Sequence, residues 1–410
     1  MENVMRIRVF LLSAALSILA AGASVAQTPK SSGHVVKIGV LGDFSGPFEN
    51  LSGKGALEAV RMAVEDFGGT VLGKKIEIVS ADHQNKPDIA SNIARQWYDM
   101  EGVDMINDLA QSASALAVLP LAKQFNRIAI VNSASSTEIT GAKCTPNSVH
   151  YTIDTYAEAK GTGTAILDQG HNSFFFITAD YAYGHSLERD MSDIVKARGG
   201  KIVGSVRHPF NTSDFSSFIL QAQNSGAQVI ALANAGGDTV NAIKAAQEFG
   251  IGRDGKQTVV GMLVFIGDVH ALGLKTAQGL VLTTAFYWDL NDETRAWSKR
   301  FYERVGKMPQ MTHAGDYSST LHYLKAVQAA GTDDAQAVMA KMREMPVNDL
   351  FAKNGHIRAD GLMVHDLLLV QVKKPEESKR DWDYYKVLAV IPGKEAYKSL
   401  DDSVCPLVKK

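Results

Sequence analysis

Two short stretches set hydroxyl residues where an apolar run gives way to a helix. "NDLAQSAS" presents Gln111, Ser112 and Ser114, and "VNSASST" presents Ser133, Ser135, Ser136 and Thr137. Small hydroxyls beside the free backbone N–H groups of a helix start form a cradle for an anion such as a carboxylate. The same residue types also serve as ordinary helix N-caps. Two such clusters on successive strand ends favour the ligand reading. A third stretch, "ITADYAYGHS", puts Tyr181 and Tyr183 at another strand end, between Asp180 and Gly184. Tyr287, Trp288 and Tyr317 also fall near element ends, where packing is the commoner role.

Groups that would make and break bonds do not assemble. "GDFSG" carries Ser45 one place too late for a nucleophile elbow. Neither a dinucleotide fingerprint nor a phosphate loop follows any strand. The eleven histidines include no pair at metal-binding helical spacing, so neither a metal site nor a cofactor is expected. His83, His185 and His313 sit at element ends and read as solvated or hydrogen-bonded. Asp82 follows a strand without an evident acid/base partner. A non-enzymatic protein is expected; a hydrolase on this scaffold would need a nucleophile–base pair that is not displayed.

The elements that must position these residues alternate regularly. "VKIGVLGDFSGPF" is a strand running into a turn, followed by a helix with Ala56, Val60, Ala63, Val64 and Phe67 on one face. Strand and helix then alternate through "KKIEIVSA", "PDIASNIARQWYDM", "VDMIND", "ASALAVLPLAKQF" and "RIAIVN". A second series starts at Lys160 and runs to "QTVVGML", with "SFFFIT" and "KIVGSVRH" among its strands. This alternation means parallel sheets with right-handed crossovers, hence two doubly wound α/β lobes. Three helices follow. "MVHDLLLVQVK" and "WDYYKVLAVI" then read as an antiparallel strand pair, so the chain is free to cross between lobes more than once. In open α/β sheets ligands bind beyond the carboxyl ends of strands, where the Ser and Tyr clusters fall.

Composition narrows the setting. The 410 residues carry a formal net charge of −2, which argues against nucleic acid or an anionic membrane as partner. Arg6 and Arg8, the apolar "VFLLSAALSILA" and small Ser24 and Ala26 before Gln27 make residues 1–26 a cleavable signal peptide. No cysteine sits at or just after the cut, and no later apolar run reaches the roughly 20 residues of a membrane span. An exported, soluble chain, most simply periplasmic, is expected. Cys144 and Cys405 are the only cysteines; in an oxidising compartment they either bond, tethering the tail to the first lobe, or remain two unpaired thiols.

With these motifs assembled, the chain from about Val35 to the last strand pair resembles the periplasmic solute-binding proteins of the branched-chain amino acid type, which serve ABC importers. The likeness is carried by "KIGVLGDFSGPF", "GKKIEIVSADHQNKPDIA", "NSASSTEIT", "DYAYGHSL", "NTSDFSSFILQAQNSGAQVIALA" and "AQGLVLTT". It implies the type I periplasmic-binding-protein fold, two lobes closing on ligand about three crossings. The expected lobes are 35–152 plus 286–350 and 153–285 plus 351–400. The resemblance assigns the ligand carboxylate to Gln111, Ser112, Ser133 and Ser135. It places Tyr183 over the ligand, Tyr317 and Tyr156 (in "IDTYAEAKGTG") in the pocket wall, and Phe44, Phe48 and Leu51 along the cleft edge.

One departure from that family bears on the ligand. Amino-acid binders place an acidic residue after a second-lobe strand to take the ammonium group, and here Met262 or Leu263 occupies that place. Ala235 and Gly236 stand where an aromatic contact is common. A buried ammonium without a partner costs several kcal/mol. The resemblance therefore implies an aromatic carboxylate, such as a benzoate or cinnamate derivative, delivered by a monomer to an ABC-importer permease. The alternatives are a branched-chain or related amino acid, should Asp268 or Asp180 reach in, and a ligand-presenting sensor partner.

Overall fold

The computed structural model describes residues 33–252 and 255–409; the signal peptide lies outside the described residues. The first sheet contains β1 (Val35–Gly42), β2 (Thr70–Val71), β3 (Lys74–Asp82), β4 (Met105–Asp108), β5 (Ile128–Val131) and β6 (Ser148–His150). Their order is β2-β3-β1-β4-β5-β6, parallel throughout except for β2 against β3. The second sheet contains β7 (Ser173–Ala179), β8 (Lys201–His208), β9 (Val229–Ala233) and β10 (Thr258–Gly261), all parallel in the order β10-β9-β7-β8. Both sheets reverse their strand order near the middle, and such a reversal opens a crevice at the strand ends.

Side-chain alternation along the first sheet explains why its strands read as unbroken apolar runs. Ile38, Val40, Met105, Ile128 and Ile130 share one core with the helices Gly53–Phe67 and Met311–Ala330. Leu41, Ile106, Ala129 and Val131 share the other with Pro87–Gln96 and Ser112–Gln124. A parallel sheet covered on both faces needs apolar residues at every position. The second cover lies close enough that a Cβ at Gly39 would sit 2.5 Å from the Trp97 ring, so only glycine fits there.

The later chain forms β11 (Val281–Thr284), β12 (His356–Ile357), β13 (Met363–Val364), β14 (Leu367–Val372) and β15 (Tyr385–Ile391). β11, β14 and β15 make a separate antiparallel sheet in the order β11-β14-β15, and β12 pairs with β13. The chain leaves the first sheet for the second after β6, runs from β11 into helix Asp292–Val305, and returns from β13 to β11's sheet at β14. Helix Asp292–Val305 returns to the first lobe, where Arg300 pairs with Asp66 at 2.7 Å. The tail also returns there: Cys144 and Cys405 are bonded, with Cα atoms 5.7 Å apart.

Two boundaries differ from the sequence expectation. Residues 351–364, expected in the second lobe, pack against the first. Phe351 stacks on Tyr151 at 5.8 Å, and the His150 N–H donates to the Gly361 carbonyl at 2.9 Å. Two-residue strands leave no periodicity from which to place that crossing. The helix expected from Lys160 begins five residues earlier, at Thr155, because the Asp154 carboxylate accepts the Ala157 N–H at 2.8 Å and caps it. It continues through a π-helical turn, Ala159–Gly163, to Asp168.

Candidate ligand-binding cleft

The turn after β1 is folded around one side chain. The Asp43 carboxylate accepts the N–H groups of Gly46 at 2.7 Å and Phe48 at 2.8 Å, and the Asn85 amide at 2.6 Å. This winding directs Phe48 and Leu51 inward. After β4, Asp108 and Leu109 take positive φ values of 79° and 58°, swinging the chain so that Ala110 and Ser112 reach the same space. Ser133, Ala134 and Ser135 follow β5. From the second lobe come Tyr181 and Tyr183 after β7, Ala235 after β9, and Leu263 and Phe265 after β10. Every one of these residues follows the carboxyl end of a strand, and together they line a cavity of only about 10 Å³. Ligand pockets commonly span roughly 300–1,000 Å³, so in this closed arrangement the lining side chains fill the space and the lobes must part to admit a ligand.

Of the residues singled out from sequence, Phe48, Leu51, Ser112, Ser133, Ser135, Tyr181, Tyr183, Ala235 and Leu263 come together here. Gln111, Phe44, Tyr156 and Tyr317 do not line the cavity. Gln111 turns its side chain back to accept the Ser114 N–H at 2.7 Å and caps its own helix. Phe44 stays half-buried outside the turn, because the Asp43 bonds bring in Phe48 instead. Tyr156 is half-buried in the helix capped by Asp154. Tyr317 packs on Trp297 at 5.2 Å and donates its hydroxyl to Asp66 at 2.7 Å, on the side of its helix facing Arg300. Ala110, Ala134 and Phe265 were missed, being apolar residues without a chemical signature.

The missed residue of most consequence is Glu158. It is fully buried and accepts the Tyr183 hydroxyl on Oε2 at 3.0 Å, while its Oε1 has no hydrogen-bond partner. Burial raises its carboxyl well above the usual range, with Asp154 and Asp190 adding to the rise. Both effects favour the neutral form of Glu158, which lies behind Tyr183. The two acids weighed from sequence lie elsewhere. Asp180 pairs with His185 at 2.8 Å on an exposed surface. Asp268 accepts the Phe265 N–H at 2.9 Å as a helix cap, and burial pushes its carboxyl up to about 7.

No histidine lines the cavity among the described residues. His83 and His313 are buried, not solvated: Nδ1 accepts the Asn85 N–H at 3.0 Å in one and the Gln310 N–H at 3.2 Å in the other. Burial lowers them to about 4 and about 3. A larger hollow of about 500 Å³ opens beside Lys54, Arg61, His270, Arg304 and Trp382. It lies among helix surfaces and ionic side chains, away from the strand ends, so the smaller cavity is the better site.

The lobes touch over the cleft. Phe210 bridges Phe48 and Tyr181, each ring centroid 5.3 Å away. The Ser136 and Ser186 hydroxyls meet at 2.7 Å, Thr137 donates to Asp190 at 2.9 Å, and Arg189 reaches Thr137 at 2.8 Å and Glu138 at 3.1 Å. No described helix is long and apolar enough to cross a membrane.

A bilobed sheet pair with a cleft between strand ends is the build of a solute-capturing protein. The chain belongs to the periplasmic binding protein family, whose profile matches residues 35–379. A Leu/Ile/Val-binding protein homolog from Brucella melitensis is 30% identical over 336 residues, covering 80% of this chain and 83% of that one. A periplasmic binding protein from Burkholderia mallei is 52% identical with a TM-score of 0.90, covering 92% and 100% of the two chains. A branched-chain amino acid ABC transporter periplasmic ligand-binding protein from Burkholderia xenovorans is 41% identical, with a TM-score of 0.82 and coverage of 91% and 100%. At 20% identity, 87% and 96% coverage and a TM-score of 0.77, a benzoate-bound solute-binding protein from R. palustris shares the fold. The chain is a solute-binding component of the kind that serves ABC transporters.

Proposed function

We propose that this protein, exported through its signal peptide to the periplasm, captures a small aromatic carboxylate between its lobes. As a monomer it then presents the closed form to the permease of an ABC importer, without chemistry on the ligand. We assign residues 35–152 and 286–364 to the capturing lobe and 153–285 and 365–400 to the closing lobe, with the tail beyond them tied back to the capturing lobe by Cys144–Cys405. One observation carries the ligand class: the cavity is walled by three serines and four aromatic rings, with no ionised side chain among them. Hydroxyls and the helix start at Ser112 suit a carboxylate. Phe48, Tyr181, Tyr183 and Phe265 suit the faces and edges of a ring. On the second-lobe side an ammonium group would meet the rings of Tyr181, Tyr183 and Phe265 with Ala235 and Leu263, and no carboxylate lines the cavity to pair with it.

A second reading, a branched-chain or related amino acid, is favoured by Glu158. Ionised, it would lie behind Tyr183 as an anion for an α-amine. A thermal-shift panel on the mature protein separates the two, setting benzoate, 4-hydroxybenzoate and 4-hydroxycinnamate against leucine, isoleucine and valine. A ligand at a hundred times its Kd adds about 2.7 kcal/mol, a shift of several degrees. Shifts by the aromatic acids alone support the proposal. A shift by leucine with none from the aromatic acids sinks it.

A further inference from the structure

We infer that Asp108 is a positioning residue for ligand capture: it must hold a proton for Ser133 to donate to the ligand carboxylate, so the ligand binds together with one proton. This rests on the reading of the serines as a carboxylate cradle. Ser133 lines the cavity, and its Oγ lies 2.5 Å from Asp108 Oδ1. Asp108 Oδ2 accepts from the Ser52 hydroxyl. Ser52 Oγ in turn accepts the Asp43 N–H at 3.0 Å, which orients its own proton toward Asp108. Oδ2 is thereby satisfied, and any proton on the carboxyl belongs on Oδ1, facing Ser133.

A hydroxyl has one proton to give. With Asp108 ionised, Ser133 gives that proton to Oδ1 and turns only lone pairs toward the cavity, where they repel an incoming carboxylate. With Asp108 neutral, the Oδ1 proton is donated to Ser133, whose own O–H is freed for the ligand. In the unliganded protein that O–H has the Leu51 carbonyl at 3.4 Å as a weak resting acceptor. The ligand anion thus replaces a poor partner with a charged one, and only in the protonated state.

The surroundings favour that state. Asp108 is fully buried, and the charged groups facing it are both carboxyls: Asp43 from the turn after β1 and Asp316 from helix Met311–Ala330. Among the described residues no cation pairs with it. Burial first and Asp43 second push its carboxyl up to about 7, against the bonds from Ser133 and Ser52 that lower it. The exchange therefore falls within the physiological range.

The test is calorimetry of wild type and Asp108→Asn with 4-hydroxybenzoate, and with leucine, from pH 5.5 to 8.5 in phosphate and in Tris, whose different ionisation heats reveal proton uptake. Wild type is expected to take up close to one proton per ligand at pH 8.5 and almost none at pH 5.5. Its affinity should fall about tenfold per pH unit above 7. The side-chain amide introduced by Asp108→Asn donates to Ser133 at every pH, so D108N is expected to show neither slope nor uptake. A flat wild-type profile without uptake overturns the inference, as does a slope that survives in D108N. Should D108N not fold, the wild-type proton count alone decides. If no carboxylate binds at any pH, the proposed function fails on its own. Asp108 is then judged in the free protein by its protonated-carboxyl infrared band at pH 6, whose absence from the wild-type-minus-D108N difference overturns the inference and whose presence supports it.

Discussion

Replacing Glu158 with Gln separates the two ligand classes, because the two demand opposite charge states of one buried carboxyl. For an aromatic acid, Glu158 stays neutral and only accepts the Tyr183 hydroxyl at 3.0 Å. Gln has the same volume and keeps an acceptor oxygen, so the change should cost no more than about 1 kcal/mol of binding, roughly fivefold in Kd. For an amino acid, Glu158 must ionise to face the ammonium group. Removing one member of a buried charge pair costs about 2–5 kcal/mol, a loss of roughly 30-fold to several thousandfold. The assay is titration calorimetry of wild type and E158Q at pH 7 with 4-hydroxybenzoate and leucine.

Linkage supplies an internal control without ligand. An acid whose folded pKa is raised stabilises the fold fully below its unfolded pKa, and loses that contribution as pH rises toward the folded value. Burial raises Glu158 in this way. E158Q should therefore gain stability relative to wild type as pH rises from 5 to 8. A folded E158Q that loses aromatic-acid binding by more than a hundredfold would refute the neutral-acceptor role. Intact leucine binding in E158Q, if wild type binds leucine, would refute Glu158 as the amine's partner.

Asp268 obeys the same sign rule with a stated magnitude. Its carboxyl is raised from 3.8 to about 7, and Asn would retain the bond from the Phe265 N–H. Between pH 5 and 8 the stability of D268N relative to wild type should rise by about 2–3 kcal/mol in denaturant melts, and a pH-independent difference would count against burial as the cause. Substituting both Cys144 and Cys405 with Ala should lower stability by about 2–5 kcal/mol, since the bond closes a loop spanning both lobes. Ligand affinity should hold within about twofold, as neither residue lines the cavity; loss of binding by the folded double variant would contradict this. Arg189→Ala cuts half-exposed ties to Thr137 and Glu138. It should weaken binding no more than about fivefold at physiological salt, and a larger loss would mean that Arg189 touches ligand.

The lobes were legible because their inner strands are buried on both faces, as "SFFFIT" is in the strand Ser173–Ala179; "KIVGSVRH", at the sheet edge, matches Lys201–His208 residue for residue by its alternation instead. The serines were legible because strand ends in such sheets carry ligands whatever the chemistry. Asp108 and Glu158 were not, since one acid in a polar stretch looks solvated until distant segments close over it. Gln111 could cap a helix or hold a ligand, and its residue type serves both. Tyr317 sits on a helix buried on nearly every side, so no apolar stripe marks which way it faces. The crossing near residue 364 is set by two-residue strands, too short to leave a periodic trace.

The division of labour between lobes has an energetic consequence. The serines of the site sit on the first lobe, with Asp108 bracing Ser133, while the second lobe contributes mostly ring and aliphatic surface. Contacts that join the lobes over the cleft include the Ser136–Ser186 and Thr137–Asp190 bonds, the half-exposed Arg189 arm, and the Phe48–Phe210 rings. A neutral hydrogen bond contributes about 1 kcal/mol, an exposed ion pair about 0–1 and an aromatic pair about 0.5–1.5. Their sum is on the order of a few kcal/mol, comparable to the free energy separating conformers of a bistable protein. A ligand that touched only the serines would bind both conformers alike and shift nothing. Closure must therefore come from the ligand surface buried against Tyr181, Tyr183 and Phe265, at about 25 cal/mol per Å² of apolar area. A flat ring supplies that surface without requiring an ion on the closing lobe, which is why the serines and the rings belong to one ligand.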